Sequence, residues 1–116
     1  LARIRALTRR ARPGRESPLV RFADCQLDLA ARQLTRESEI VRLTPTEYEL
    51  LCLLATRAGQ VVTYRQLLRD VWGADALEQH HYVRIVVGHL RRKLECDPLR
   101  PRHLLTETGV GYRFQL

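Results

Sequence analysis

The 116-residue sequence predicts a single α+β domain in which short strands come first, helices follow and a hairpin closes the chain. Three observations carry that expectation. Between Leu19 and Leu43, pieces with two or three apolar residues are separated by polar pairs, the pattern of an antiparallel meander. Two helix-start signatures follow, at Thr44-Pro45-Thr46-Glu47 and Thr63-Tyr64-Arg65-Gln66. Near the end, two strand-like runs flank Thr108-Gly109-Val110-Gly111. A chain of this length can build one real core and is too short for two comfortable ones.

Residues 1–18 stand apart. Leu1, Ile4 and Leu7 have helical spacing that Pro13-Gly14 ends, and ARPGRESP has the chemistry of a linker. We expect the tail of a preceding domain and a tether there, with residues 19–116 forming the folded unit. No methionine occurs, so the chain is expected to be a piece of a longer polypeptide.

Four strands are expected at Leu19–Phe22, Cys25–Leu29, Gln33–Arg36 and Glu39–Leu43. Thr44 can cap the first helix, Pro45 suits its first position because its missing N–H would be unpaired there, and Glu47 completes a capping box. Tyr48, Leu51, Cys52, Leu54 and Ala55 then share a face, and Gly59 supplies a stop. Val61-Val62 offers a short extended piece able to pair with another strand. The second helix should turn Leu67, Leu68, Val71 and Trp72 inward and end at Gly73. A third runs from near Gln79 to about Glu95, with Val83, Val87, Leu90 and Leu94 on one side. Leu104–Glu107 and Tyr112–Gln115 form the closing hairpin, where both glycines permit positive φ.

The net charge of +7 is polarised. Residues 1–18 carry six arginines and one glutamate, residues 19–78 seven basic and nine acidic groups, and residues 79–116 seven basic and three acidic groups. A near-neutral body with a basic C-terminal third suits a polyanionic partner. No apolar run approaches the roughly 18 residues of a membrane span. Cys25, Cys52 and Cys96 are odd in number and lack CxxC spacing, which fits a reducing, cytoplasmic setting without a disulfide framework.

The third helix carries the functional argument. Opposite its apolar side lie His81, Ile85, Gly88, His89 and Arg92, with Arg84 and Arg91 on one flank and Tyr82, Val86 and Lys93 on the other. The DNA major groove admits one helix, and side chains reaching base edges read it. Arg92 can donate to guanine, His89 can donate or accept, Ile85 can meet a thymine methyl, and Gly88 removes bulk. Arg84, Arg91, His81 and Tyr82 suit phosphate oxygens, which fix register. Two capped helices, an apolar seam, a cationic outer face and a terminal hairpin, in that order, describe a winged helix-turn-helix: a four-stranded N-terminal antiparallel sheet, a three-helix core and a β-hairpin wing.

LTPTEYELLCLLATRAGQVVTYRQLLRDVWG, VRIVVGHLRRKLE and LLTETGVGYRF together resemble the DNA-binding effector domain of OmpR/PhoB-type response regulators, over about Leu19 to Leu116. The detailed wording is similar to the branch controlling potassium-transport operons, and LARIRALTRR to the last helix and linker of a phospho-receiver domain. The resemblance implies a third helix in the major groove and a wing at the adjacent minor groove. It implies base contacts at Arg84, Ile85, Gly88, His89 and Arg92, and phosphate contacts at Thr63, Arg65, His81, Tyr82 and Arg91, with Arg113 also in reach. The wing is Thr108, Gly109, Val110 and Gly111. A loop of Gly73, Ala74, Asp75, Ala76, Leu77, Glu78 and Gln79 would face RNA polymerase. Other implied partners are double-stranded promoter DNA, a receiver domain in the same polypeptide through which the whole protein pairs on DNA, and a sensor histidine kinase acting on that receiver. The chain departs from relatives at His81-Tyr82, where arginine and threonine are common, at Arg84, where aspartate is common, and at Thr108, where arginine is common.

Two other function classes compete with this one. An enzyme or metal site would draw on His80, His81, His89, Cys96 and His103, whose spacing matches no compact ligand set, and no phosphate loop or nucleophile elbow occurs. We therefore expect no catalysis, no metal and no cofactor. A winged-helix protein-interaction module would keep the core but lose the cations that this chain retains at Arg84, Arg91, Arg92 and Lys93.

Overall fold

The computed structural model describes residues 19–116, so the expectations for residues 1–18 lie outside the described residues. Four strands, β1 (Leu19–Phe22), β2 (Cys25–Asp28), β3 (Gln33–Arg36) and β4 (Glu39–Val41), form an antiparallel sheet in sequence order. Its register aligns Val20, Leu27, Leu34 and Val41 in one cross-strand row. Because side chains alternate between faces, that row and Phe22 and Cys25 turn toward the core. The β3–β4 turn uses Glu37 and Ser38, both at positive φ (53° and 69°), as a two-residue primed hairpin turn demands. Neither is the glycine that usually marks such a turn.

Helix α1 (Pro45–Thr56) starts as expected: the Thr44 hydroxyl accepts from the Glu47 amide and the Glu47 carboxylate accepts from the Thr44 amide, both at 3.1 Å. Its buried face includes Leu50, which the assigned stripe omitted, while Cys52 is only half-buried. Strand β5 (Val61–Thr63) leads directly into helix α2 (Tyr64–Leu67), capped by Thr63 and Gln66 in a second reciprocal box. The expected regular helix then loosens into a π-helical turn over Leu68–Trp72, closed by the Gly73 amide on the Leu68 carbonyl at 2.9 Å. Gly73 adopts φ 110° and stops it. A 3₁₀ turn, Ala74–Ala76, precedes helix α3 (His80–Leu94).

Strands β6 (Leu104–Glu107) and β7 (Gly111–Phe114) make the closing hairpin, and β5 adds to its edge, giving the order β5-β7-β6. The Val61-Val62 piece therefore pairs with the wing. The core joins both sheets to all three helices: Leu50, Leu51 and Leu54 of α1, Leu67 and Leu68, Val83, Val87, Leu90 and Leu94 of α3, and Leu104, Tyr112 and Phe114 of the hairpin. Phe22 meets Phe114 edge-on at 4.9 Å, where the N-terminal sheet touches the wing sheet.

The two hairpin glycines serve different needs, which corrects the expectation that both supply positive φ. Gly109 does, at 78°, in the turn. Gly111 lies within β7, where a Cβ would overlap the Val62 carbonyl and stand 2.8 Å from Thr63 Cα. Backbone cannot yield as a flexible side chain would. Gly111→Ala is expected to lower unfolding free energy by about 2–3 kcal/mol or more, and Gly109→Ala by about 1 kcal/mol; chemical denaturation midpoints of the two variants check the order.

Candidate nucleic-acid interface

Helix α3 is buried along Val83, Val87, Leu90 and Leu94 and turns His81, Tyr82, Arg84, Ile85 and Arg92 to solvent. Ile85 keeps 53% of its surface exposed, although it stands in the middle of the helix. Gly88 and His89 sit half-buried between these residues. Arg84 and Arg92 make no hydrogen bond or ion pair to the described residues. Arg84 lies 6.0 Å over the Tyr64 ring, and Arg92 Nη2 lies 3.9 Å from where a Gly88 Cβ would stand. The Arg92 guanidinium thus folds back over the helix surface beside Gly88.

Other cations of the same helix are committed elsewhere. Lys93 Nζ donates to Glu47 Oε1 at 2.6 Å and to the Arg42 carbonyl at 2.8 Å, tying α3 to the start of α1. Contrary to its expected place among the cations facing a partner, Lys93 holds two helices together. Arg91 donates through Nε and Nη2 to the Leu104 carbonyl (3.0 and 2.7 Å) and through Nη2 to Thr106 Oγ1 (2.8 Å), packing over Tyr112. One turn on, the buried Glu95 carboxylate accepts from the amides of Arg102, His103 and Leu104 at 2.8–2.9 Å. Arg91 and Glu95 fix the angle between α3 and the wing.

The N-terminal sheet closes the far end of α3. Arg36 Nη1 donates to the Lys93 carbonyl at 3.0 Å, and the Cys25 thiol points to the Leu94 carbonyl at 3.9 Å. Burial, with Asp24 beside it, pushes the Cys25 thiol up to about 12, so it stays a neutral donor. These contacts satisfy carbonyls that a helix end otherwise leaves open.

At the other end of α3, His80 stacks on Tyr64 (4.7 Å between ring centres, 7° between planes), and Tyr64 meets Tyr112 edge-on at 5.6 Å. Burial and the neighbouring Tyr64 hydroxyl push the Tyr112 phenol up to about 12. Trp72 approaches Tyr82 at 5.9 Å. This array brings the α2 start, with Thr63 and exposed Arg65, beside the α3 start and the wing. The Thr63 hydroxyl already accepts from the Gln66 amide. Thr108, Gly109 and Val110 form an exposed tip, whereas Gly111 is buried in β7. Arg113 is not gathered with the α3 residues: it pairs with Glu107 at 3.2 Å, and strand alternation puts it on the sheet face opposite Tyr112 and Thr106. In the segment from Gly73 to Gln79, Asp75 and Glu78 are exposed while Ala76 and Leu77 pack on the core.

Several positioning residues escaped the sequence reading. Beyond its role as a cap, the Glu47 side chain, 5% exposed, also receives Lys93 and lies 3.5 Å from His89 Nδ1. Tyr64, Tyr112 and Glu95 had no signal beyond ordinary helix and strand composition. Among the described residues, no group of three or more His, Cys, Asp or Glu side chains converges as a metal site, and no helix is long and apolar enough to cross a membrane.

A three-helix core whose last helix keeps one face exposed beside a hairpin defines a winged helix-turn-helix domain. Residues 37–114 match the family described as "Transcriptional regulatory protein, C terminal". The chain belongs to that family, the winged-helix output domains of OmpR/PhoB-type response regulators. It is similar to the KDP operon transcriptional regulatory protein KdpE of Escherichia coli K12, with 56% identity over 116 residues, 99% of this chain and 52% of that protein. The chain thus spans about half the length of the curated relatives it matches. Among solved structures it resembles the response regulator DrrB, a Thermotoga maritima OmpR/PhoB homologue, at TM-score 0.78 and 33% identity over 85% of this chain and 45% of that one. It also resembles the Klebsiella pneumoniae RstA DNA-binding domain, solved in complex with the RstA box, at TM-score 0.72 and 28% identity over 84% and 96%.

The Glu47 site sets a pH response. Burial alone would raise its carboxyl, but the Lys93 hydrogen bond, the Thr44 amide and the charges of Lys93 and His89 outweigh burial and hold it below the ordinary 4.5. A depressed folded value means the stabilisation is complete above pH 4.5 and is lost as pH falls through the lower folded value. Glu47→Gln should therefore be less stable than the parent at pH 7, with the gap closing in acid; denaturation midpoints across pH 7 to 3 check it.

Proposed function

We propose that this domain binds double-stranded promoter DNA in a sequence-specific manner and regulates transcription as the output part of a phosphorylation-controlled regulator. Helix α3 lies in the major groove and the wing beside the minor groove. The observation that carries this reading is the solvent-facing stripe of α3, where Arg84 and Arg92 make no hydrogen bond or ion pair to the described residues and share the stripe with an exposed Ile85. Two uncommitted guanidinium groups around an apolar contact match guanine edges, phosphates and a thymine methyl. The RstA domain, similar over most of this chain, was solved with DNA, which supports the same use. A protein-docking module would lose the α3 cations that this chain keeps outward at Arg84 and Arg92, and binding of this kind requires no catalytic group.

Ile85, Gly88, His89, Arg84 and Arg92 face bases in this reading. Thr63, Arg65, His81 and Tyr82 address phosphates around the starts of α2 and α3. Arg91 keeps Nη1 for a phosphate while its other nitrogens hold the wing. Arg113 reaches phosphate only by leaving Glu107. The segment from Gly73 to Gln79, with Asp75 and Glu78 outward, faces RNA polymerase. In the whole protein a receiver domain, addressed by a sensor histidine kinase in the cytoplasm, pairs two copies on DNA and raises the local concentration of the second domain.

Affinity for operator DNA should fall with salt by roughly one log-log unit per phosphate contact, and a flat response in a fluorescence titration overturns the proposal. Arg92→Ala should cost about 10- to 100-fold on operator and little on random DNA, whereas Arg91→Ala weakens both alike. Equal losses for the two variants on both duplexes count against the division of roles.

A further inference from the structure

Reading a groove needs each polar side chain to present one hydrogen-bonding sense, and a neutral imidazole has two, because either ring nitrogen can carry the proton. His89 is the ambiguous member of the α3 stripe. Its side chain is 44% exposed, and its Nδ1 lies 3.5 Å from Glu47 Oε2. That carboxylate cannot swing away: Oε1 accepts from the Thr44 amide at 3.1 Å and from Lys93 Nζ at 2.6 Å, and the group is nearly fully buried. Of the two neutral tautomers, a fixed negative charge beside Nδ1 favours the one with its proton there. The lone pair then sits on Nε2, across the ring from Glu47.

Arg92, three residues on, can only donate. The outward side of this turn therefore offers a donor and an acceptor side by side, with Gly88 adding no bulk between them.

We propose that Glu47 is a positioning residue for base readout, holding His89 as a hydrogen-bond acceptor that selects an exocyclic amine, adenine N6 or cytosine N4, in the major groove. The proposal rests on the reading that α3 enters that groove. Guanine N7 and O6 and thymine O4 are acceptors and give Nε2 nothing to bind.

The test is selection of bound sites from random-sequence duplex with the 116-residue chain, followed by affinities for the four choices at single base pairs. The pair whose preference vanishes in His89→Ala is the one His89 reads. The parent should discriminate at that pair by about fivefold or more, and replacing its adenine by purine or its cytosine by 2-pyrimidinone, which deletes the exocyclic amine, should abolish the discrimination and mark the contacted strand. His89→Lys, a donor-only side chain, should move the preference to guanine or thymine. Glu47→Gln keeps an oxygen for the Thr44 amide and removes the charge, and should relax the preference at that pair while others stay as they are. A merely structural Glu47 would weaken all pairs together. A preference that survives deletion of that exocyclic amine, no pair responding to His89→Ala, or an unchanged preference in Glu47→Gln overturns the inference. If Glu47→Gln fails to fold, the His89→Lys outcome still decides. Any of these results leaves duplex binding itself intact, whereas absence of duplex binding by the parent sinks the functional reading beneath it.

Discussion

The attachment of the wing to the third helix is the constraint on which the rest of the architecture depends. Glu95 is buried, and a buried carboxylate is tolerated only when its oxygens are satisfied. Three consecutive amides, from Arg102, His103 and Leu104, satisfy them. Arg91 completes the grip from one turn earlier by taking the Leu104 carbonyl and the Thr106 hydroxyl. Each side needs the other: without Glu95 those amides lose their partner, and without the amides Glu95 cannot be inside. The strand that begins the wing thus has one position relative to the helix.

The same helix divides its cations between internal and external work. Lys93 and Arg91 are turned to α1 and β6, while Arg84 and Arg92 remain uncommitted. Their spacing explains the split. Val83, Val87, Leu90 and Leu94 define the inward line, the flanks meet neighbouring elements, and the residues opposite that line meet solvent. Ile85 falls opposite, which is why an apolar residue stays exposed there.

Much of the fold was legible because its signals are local. Capping boxes at Thr44 and Thr63 involve residues three apart, the apolar line of α3 is a simple periodicity, and polar pairs mark the starts of the first four strands, although β2 and β4 end at Asp28 and Val41, earlier than expected, and β7 spans Gly111–Phe114, one residue earlier at both ends. What was not legible depends on partners far away in sequence. Glu47 and Lys93 are 46 residues apart and Arg36 lies 57 from the carbonyl it caps, so composition could not assign either. Gly111 looked like a turn glycine because the Val62 backbone that crowds it comes from the far side of two helices. The π-helical turn at Leu68–Trp72 left no mark in a sequence whose apolar spacing also suits an ordinary helix. For the interface, the outward residues of α3 were readable, but the sequence could not separate anchoring arginines from uncommitted ones.

One backbone contact has a mechanical meaning. The Val110 carbonyl, at the hairpin's tip, accepts from the Tyr64 amide at 3.0 Å, where α2 begins. The hairpin is therefore pinned at its apex as well as its base, and behaves as a fixed jaw, not a flexible arm. Little conformational freedom is left to surrender when a partner arrives. In the proposed use, a jaw of set opening would act as a gauge: duplexes whose groove widths and curvature already suit the gap would fit at low cost, and stiffer or wider ones would have to be deformed to enter.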